Sequence, residues 1–155
     1  MQRFTISLDD ELADGFDRLI AGHGYASRSE AVRDLIRERL GCTLLEAGDA
    51  KWCIANVSYV YDHHDQLVVA RVVGAQHEHH DLVVSSLHTH LDHHHCMESV
   101  VLRGPVPEVS ELARKLIALR GVRHGAVHLV PLADEQGSHR HGGRGPVHGH
   151  QRPIA

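Results

Sequence analysis

The sequence predicts an α+β protein in two parts, a βαα unit over residues 1–47 and a βαββαβ unit over residues 48–133, followed by a tail at residues 134–155. Three observations predict it. Residues 2–8 alternate apolar and polar, and two segments of helical periodicity follow them. From residue 52 a new series begins, in which β-branched strand segments are interrupted by two further helical ones. After residue 133 the apolar period stops, and Gly, His, Arg and Pro dominate, a composition expected to be disordered.

Composition bounds the problem further. The 155 residues leave room for one ordinary domain or two small ones. Apolar residues reach 42% but aromatics only 4%, so any core is built from Val, Leu, Ile and Ala. The formal charge of -4 excludes a uniformly basic coat, though not a local basic patch. The three cysteines are odd in number and widely spaced, which excludes a disulfide framework. With no hydrophobic leader and no run of 18 apolar residues, a cytoplasmic protein with no membrane partner is expected. Histidine is the anomaly: 17 copies, about one residue in nine.

In the first unit, Phe4, Ile6 and Leu8 share one side of a short strand, and Arg3, Thr5 and Ser7 share the other. Asp9 or Asp10 suits a helix N-cap. Leu12, Phe16, Leu19 and Ile20 repeat at helical spacing until Gly22-His23-Gly24 stops the helix. Ser27-Arg28-Ser29-Glu30 reads as a capping box that opens a second helix, with Ala31, Val32, Leu35, Ile36 and Leu40 as its apolar stripe. A lone strand leaves both edges unpaired, and so small a unit buries too little surface to stand alone. Two copies that pair their strands antiparallel and interlock their helices solve both problems. The resulting ribbon fits the major groove of double-stranded DNA, with Arg3, Thr5 and Ser7 presented twice to base edges.

Residues 41–50 read as a helix end fraying into a linker. Strands are expected over 52–61, 81–91, 96–103 and 123–131, and helices over 64–76 and 107–119. That order is a split βαβ sandwich of the ferredoxin-like kind. His88 and His90 are two apart on a strand and so share a face, and Cys96 opens the next strand after a hairpin turn. Residues 76–81, Gln-His-Glu-His-His-Asp, offer further ligands. Imidazole and thiolate donors select late first-row metals. A plane of such donors suits nickel(II) or copper(II), a tetrahedron suits zinc, and spacing does not choose between them.

Residues 3–8 and 24–33 resemble the ribbon-helix-helix DNA-binding family, in which the second helix's N-terminus meets phosphate; Arg28 and Arg33 would assist there. Across residues 1 to about 135 the chain resembles the NikR-type nickel-responsive regulators. The resemblance rests on Met1-Gln2-Arg3, Arg28 to Asp34, Ser58-Tyr59-Val60-Tyr61, Gln76-His77, His80-Asp81, Leu87-His88-Thr89-His90, Cys96 and residues 120–125. It implies an N-terminal ribbon-helix-helix and a ferredoxin-like, ACT-type second domain. It also implies a homotetramer built as a dimer of dimers, and a planar Ni(2+) site of His88, His90 and Cys96 completed by His77 of a neighbouring subunit. Tyr61, Gln76 and Glu98 would support that site. Glu30 and Asp34 would form a weaker cation site between the domains, beside the capping-box role of Glu30.

Two departures stand out. Residues 62–66, Asp-His-His-Asp-Gln, lack basic residues for phosphate, and residues 138–155 run beyond the family's usual end. The implied function is a nickel-dependent repressor of nickel-uptake genes acting on a palindromic operator, not an enzyme. In it, metal selects the DNA-competent arrangement, and metal affinity falls in acid as the ligands take up protons. Competing readings are a nickel-independent ribbon-helix-helix repressor or antitoxin, a metal storage protein or metallochaperone, a metalloenzyme, and a regulator of copper, cobalt or zinc.

Overall fold

A computed structural model describes residues 2, 3, 5–134 and 150–154. The chain divides into two compact units, one ending at Leu40 and one spanning Gly41–Ile154. The cut falls inside a helix, ahead of the expected 47/48 boundary. The helix's last turns lie with the second unit: Leu45 packs on its core and Gly41 faces the Pro131 ring.

In the first unit, α1 (Asp10–His23) and α2 (Arg28–Glu46) form where periodicity placed them. Asp9 is the N-cap of α1, its carboxylate accepting from the Leu12 N–H at 2.9 Å, and Gly24 ends the helix at φ 71°. The Ser27 hydroxyl accepts from the Glu30 N–H at 3.2 Å, one half of the capping box. The strand expected over residues 2–8 is a correction. Residues 2, 3 and 5–9 take no regular secondary structure in the single chain, and Phe4 lies outside the described residues. A strand is defined by its ladder, and the partner expected for this one is another copy.

The second unit is a five-stranded antiparallel sheet ordered β2-β3-β1-β4-β5, with β1 (Trp52–Asp62), β2 (Val83–His90), β3 (His95–Pro105), β4 (Arg123–Asp134) and β5 (Gln151–Pro153). Helices α3 (Gln66–Glu78) and α4 (Val106–Ala118) complete the βαββαβ order. Strict alternation on β1 and β3 sends Val57, Tyr59, Val100 and Leu102 into a core closed by Val68 and Val72 of α3 and by Leu112 and Leu116 of α4. Helix α3 forms despite its valines because Asp65 caps it and Val68, Val72 and Ala75 bury one stripe. Strand β2 escapes this cover: every residue after Val83 is exposed, including Leu87 at 66%.

The tail expectation also needs correction at its end. Residues 151–153 pair with β4 in the register Leu132↔Pro153, Ala133↔Arg152 and Asp134↔Gln151. Gln151 fixes this edge pairing through side-chain bonds to Asp134 (3.1 Å) and Arg103 (2.9 Å). Residues 135–149, the remainder of the expected disordered tail, lie outside the described residues, as does Ala155. No helix among the described residues is long and apolar enough to cross a membrane.

Candidate functional site

The register between β2 and β3 decides which side chains meet. His90 lies opposite Cys96, and His88 opposite Glu98. Opposed residues share a face, so His88, His90, Cys96 and Glu98 stand on the helix side of the sheet. Between β1 and β3, Tyr61 pairs with Cys96 and Tyr59 with Glu98, which adds both tyrosines to that face. The helices stop short of β2, so the two imidazoles are exposed while Cys96 and Glu98, one strand further in, are buried.

Glu98 is the buried charged residue that organises the site, 6% exposed. Its carboxylate accepts from the Tyr61 hydroxyl (2.9 Å), the Gln76 amide (2.6 Å) and the Ser86 hydroxyl (2.8 Å). Gln76 also donates to the Tyr59 hydroxyl at 3.1 Å. Four elements, β1, β2, β3 and α3, are thereby tied to one carboxylate, which three donors make tolerable in a buried place. Burial, then the bond to Glu98, holds the Tyr61 phenol well above its ordinary range, so it stays a neutral donor. The Tyr61 hydroxyl also lies 3.5 Å from His88 Nδ1.

The four expected ligands are not assembled within one chain. His88 and His90 have ring centroids 5.0 Å apart. The Cys96 thiol lies directly across from His90 but points to the Tyr61 carbonyl, 3.6 Å away, and burial pushes its pKa up. His77 sits exposed in the last turn of α3, next in sequence to the Glu98-bound Gln76. Among the described residues, no three His, Cys, Asp or Glu side chains are gathered to hold a metal ion. The donor set nevertheless fits one: two imidazoles and a thiol on facing positions of adjacent strands, beside the Tyr61 hydroxyl that Glu98 holds.

Elsewhere, Arg3, Thr5 and Ser7 are exposed. Arg3 joins Ile6, Phe16, Arg28, Arg33 and Ile36 around a cleft of about 730 Å³ in the first unit. Arg28 is paired with Asp17 of α1, and Asp34 with Arg37 at 2.9 Å, so both charges are engaged within the chain. Glu30 is half-buried at the start of α2.

Two contributors escaped sequence reasoning. Ser86 shares the face of His88 by the same two-residue spacing, and that spacing was the available signal. His63 packs its ring 5.0 Å from His90, across a turn whose conformation no pattern announces.

The domain model "NikR C terminal nickel binding domain" matches residues 54–130, and the model "Ribbon-helix-helix protein, copG family" matches residues 2–41. Among curated relatives, each named "Putative nickel-responsive regulator", the chain is 47% identical to one from Pseudomonas putida strain W619, over 84% of this chain and 94% of that one. It is 44% identical to one from Geobacter sulfurreducens, over 86% of this chain and 95% of that one. It is 45% identical to one from Solidesulfovibrio magneticus with the same coverages of 86% and 95%.

Proposed function

This chain belongs to the NikR family of nickel-responsive regulators, and from that premise we propose how its residues divide the work. The protein is a nickel-dependent, DNA-binding transcription regulator and not an enzyme. The first unit reads DNA and the second binds Ni(2+). We assign the ion to His88, His90 and Cys96 of one chain and His77 of a second copy, in a homotetramer built as a dimer of dimers. The observation that carries the assignment is the direct opposition of His90 and Cys96, with His88 beside them over buried Glu98.

The same network supports the step from metal to DNA. Glu98 holds Gln76, and Gln76 precedes His77, so the carboxylate that ties Ser86 of the ligand-bearing strand β2 to the sheet also ties down the helix end proposed to reach the next subunit. An ion bridging the two subunits orders that helix end and selects the arrangement competent for DNA. Operator DNA then tightens nickel binding by the same factor. The uncovered strand β2 supports an assembly in which another copy lies against it. Arg3, Thr5 and Ser7 read bases from a two-stranded ribbon, and Arg28 and Arg33 approach phosphate once the Asp17 partner is exchanged for it. Glu30 and Asp34 hold the weaker cation. The two-fold ribbon asks for a palindromic operator, and its output is repression of nickel uptake in the cytoplasm.

The test is a gel shift with and without stoichiometric nickel. Cys96→Ala is expected to lower nickel affinity at least about 100-fold and to abolish nickel-dependent operator binding. Nickel-dependent binding that survives the substitution sinks the ligand assignment.

A further inference from the structure

Helix α3 buries one stripe, Val68, Val72 and Ala75, and at about 100° per residue His77 projects from the opposite side. A ligand meant for another subunit has to stand there, and packing within the chain holds that side least. His77 and Glu78 are both exposed. The helix ends on His79 at φ -124°, without the left-handed residue that commonly closes a last turn.

The two residues that flank His77 are nevertheless tied to other elements. On one side, Gln76 donates to the Glu98 carboxylate at 2.6 Å and to the Tyr59 hydroxyl at 3.1 Å. On the other, the Glu78 carboxylate accepts from the Lys115 ammonium of α4 at 2.8 Å. Gln76 and Glu78 leave the helix about 100° to either side of His77, so the two ties hold opposite flanks of one turn. Together they fix its rotation about the helix axis, and that rotation aims the Cα–Cβ bond of His77. Either tie alone lets the turn roll towards the untethered flank.

The sign of the charges supports the same reading. An acid in the last turn of a helix lies against the negative end of the helix dipole, so Glu78 by itself is unfavourably placed. Lys115 compensates it from the last turn of α4, where a cation is favourable in its own right. With side chains 42% and 66% exposed, the pair contributes little to global stability. Its consequence is local and lies in where the end of α3 stands.

On the assignment of His77 as the ligand supplied by a second copy, we propose that Lys115 and Glu78 are positioning residues for nickel binding. Their ion pair, acting with the Gln76–Glu98 bond, aims His77 at the neighbouring subunit's site. Neither is among the assigned ligands.

The test measures Ni(2+) affinity of the full chain by competition with a chelator, for Lys115→Gln and Glu78→Gln, each with and without His77→Ala. Each substitution is expected to weaken nickel about 2–5-fold where His77 is present, with the circular-dichroism melt unmoved. Charge alone predicts opposite signs, since losing a cation favours a bound divalent ion and losing an acid disfavours it. A purely structural role predicts that Glu78→Gln firms the turn by relieving the dipole, and so does not weaken nickel. In the His77→Ala background both effects should vanish, because no side chain remains to be aimed. Shifts of opposite sign, no shift, or shifts that persist without His77 overturn the proposal. If His77→Ala itself leaves nickel affinity unchanged, the assignment of the fourth ligand fails, and the positioning role falls with it.

Discussion

The two units of this chain carry similar amphipathic patterns and use them in opposite ways. In the second unit, apolar faces are consumed internally: Val57, Val100 and Leu102 of the sheet meet Val72, Leu112 and Leu116 of the helices, all fully buried. In the first unit, α1 buries no residue, and Ile6, Leu12 and Leu40 remain at least half exposed. The exposed stripes have the spacing and composition of a core without the chain to fill them. One unit closes a core within the chain, and the other leaves its apolar stripes open. Function follows the same division. The half-finished unit holds the residues proposed to read DNA, and the other leaves strand β2 exposed after Val83, where two of the proposed metal ligands stand.

The largest expected effect falls on the unfinished unit. Ile36→Lys places a charge on the stripe that a second copy would bury, at a cost of several kcal/mol to association. Operator binding and concentration-dependent assembly of the first unit should be lost, while the urea transition of the second unit stays where it is. A second-unit transition that moves with it breaks the comparison. Leu116→Ala is the converse probe. It should destabilise the second unit by about 2–5 kcal/mol, read from the denaturation midpoint, because that side chain is fully enclosed. Glu98→Ala is smaller in stability, about 1–3 kcal/mol, since the Tyr61, Gln76 and Ser86 donors lose a buried acceptor. Its sharper signature is nickel affinity, expected to fall about 10–100-fold in calorimetric titration although Glu98 is not one of the proposed ligands.

Legibility in the sequence follows the same line. Wherever an element of eight or more residues makes its contacts within the chain, periodicity found it. The βαββαβ order, the Asp9 cap, the Gly24 stop and the Ser27 cap were all readable, because each depends on neighbours a few residues away. The strand at residues 2–8 was readable as a pattern, but residues 2, 3 and 5–8 form no strand in one copy, where the partner proposed for them is absent. The pairing of residues 151–153 with β4 was not readable. Three residues carry no period, and the bonds from Gln151 to Arg103 and Asp134 span 48 and 17 positions. In the site, His88, His90 and Cys96 were visible because strand alternation and a short hairpin fix their face. His63 was not, because a turn sets its ring against His90. Ser86 was overlooked although the alternation already placed it.

The smallest effect discriminates the two units most finely. Asp9 caps α1 through its bond to the Leu12 N–H, and its removal in Asp9→Ala should cost about 1 kcal/mol. The site is exposed and local, so nothing in the second unit shares the bond. If folding of the first unit is coupled to pairing, that loss is taken twice in each dimer and appears as a roughly 30-fold rise in the protein concentration at which the first unit assembles, not as a shift in the second unit's melt. Sedimentation equilibrium on a dilution series reads the first quantity, and urea denaturation reads the second. A shift confined to assembly shows that α1 is stabilised by its partner copy. Equal shifts in both would mean that the units fold as one, and that the exposed stripes of the first are not what sets its stability.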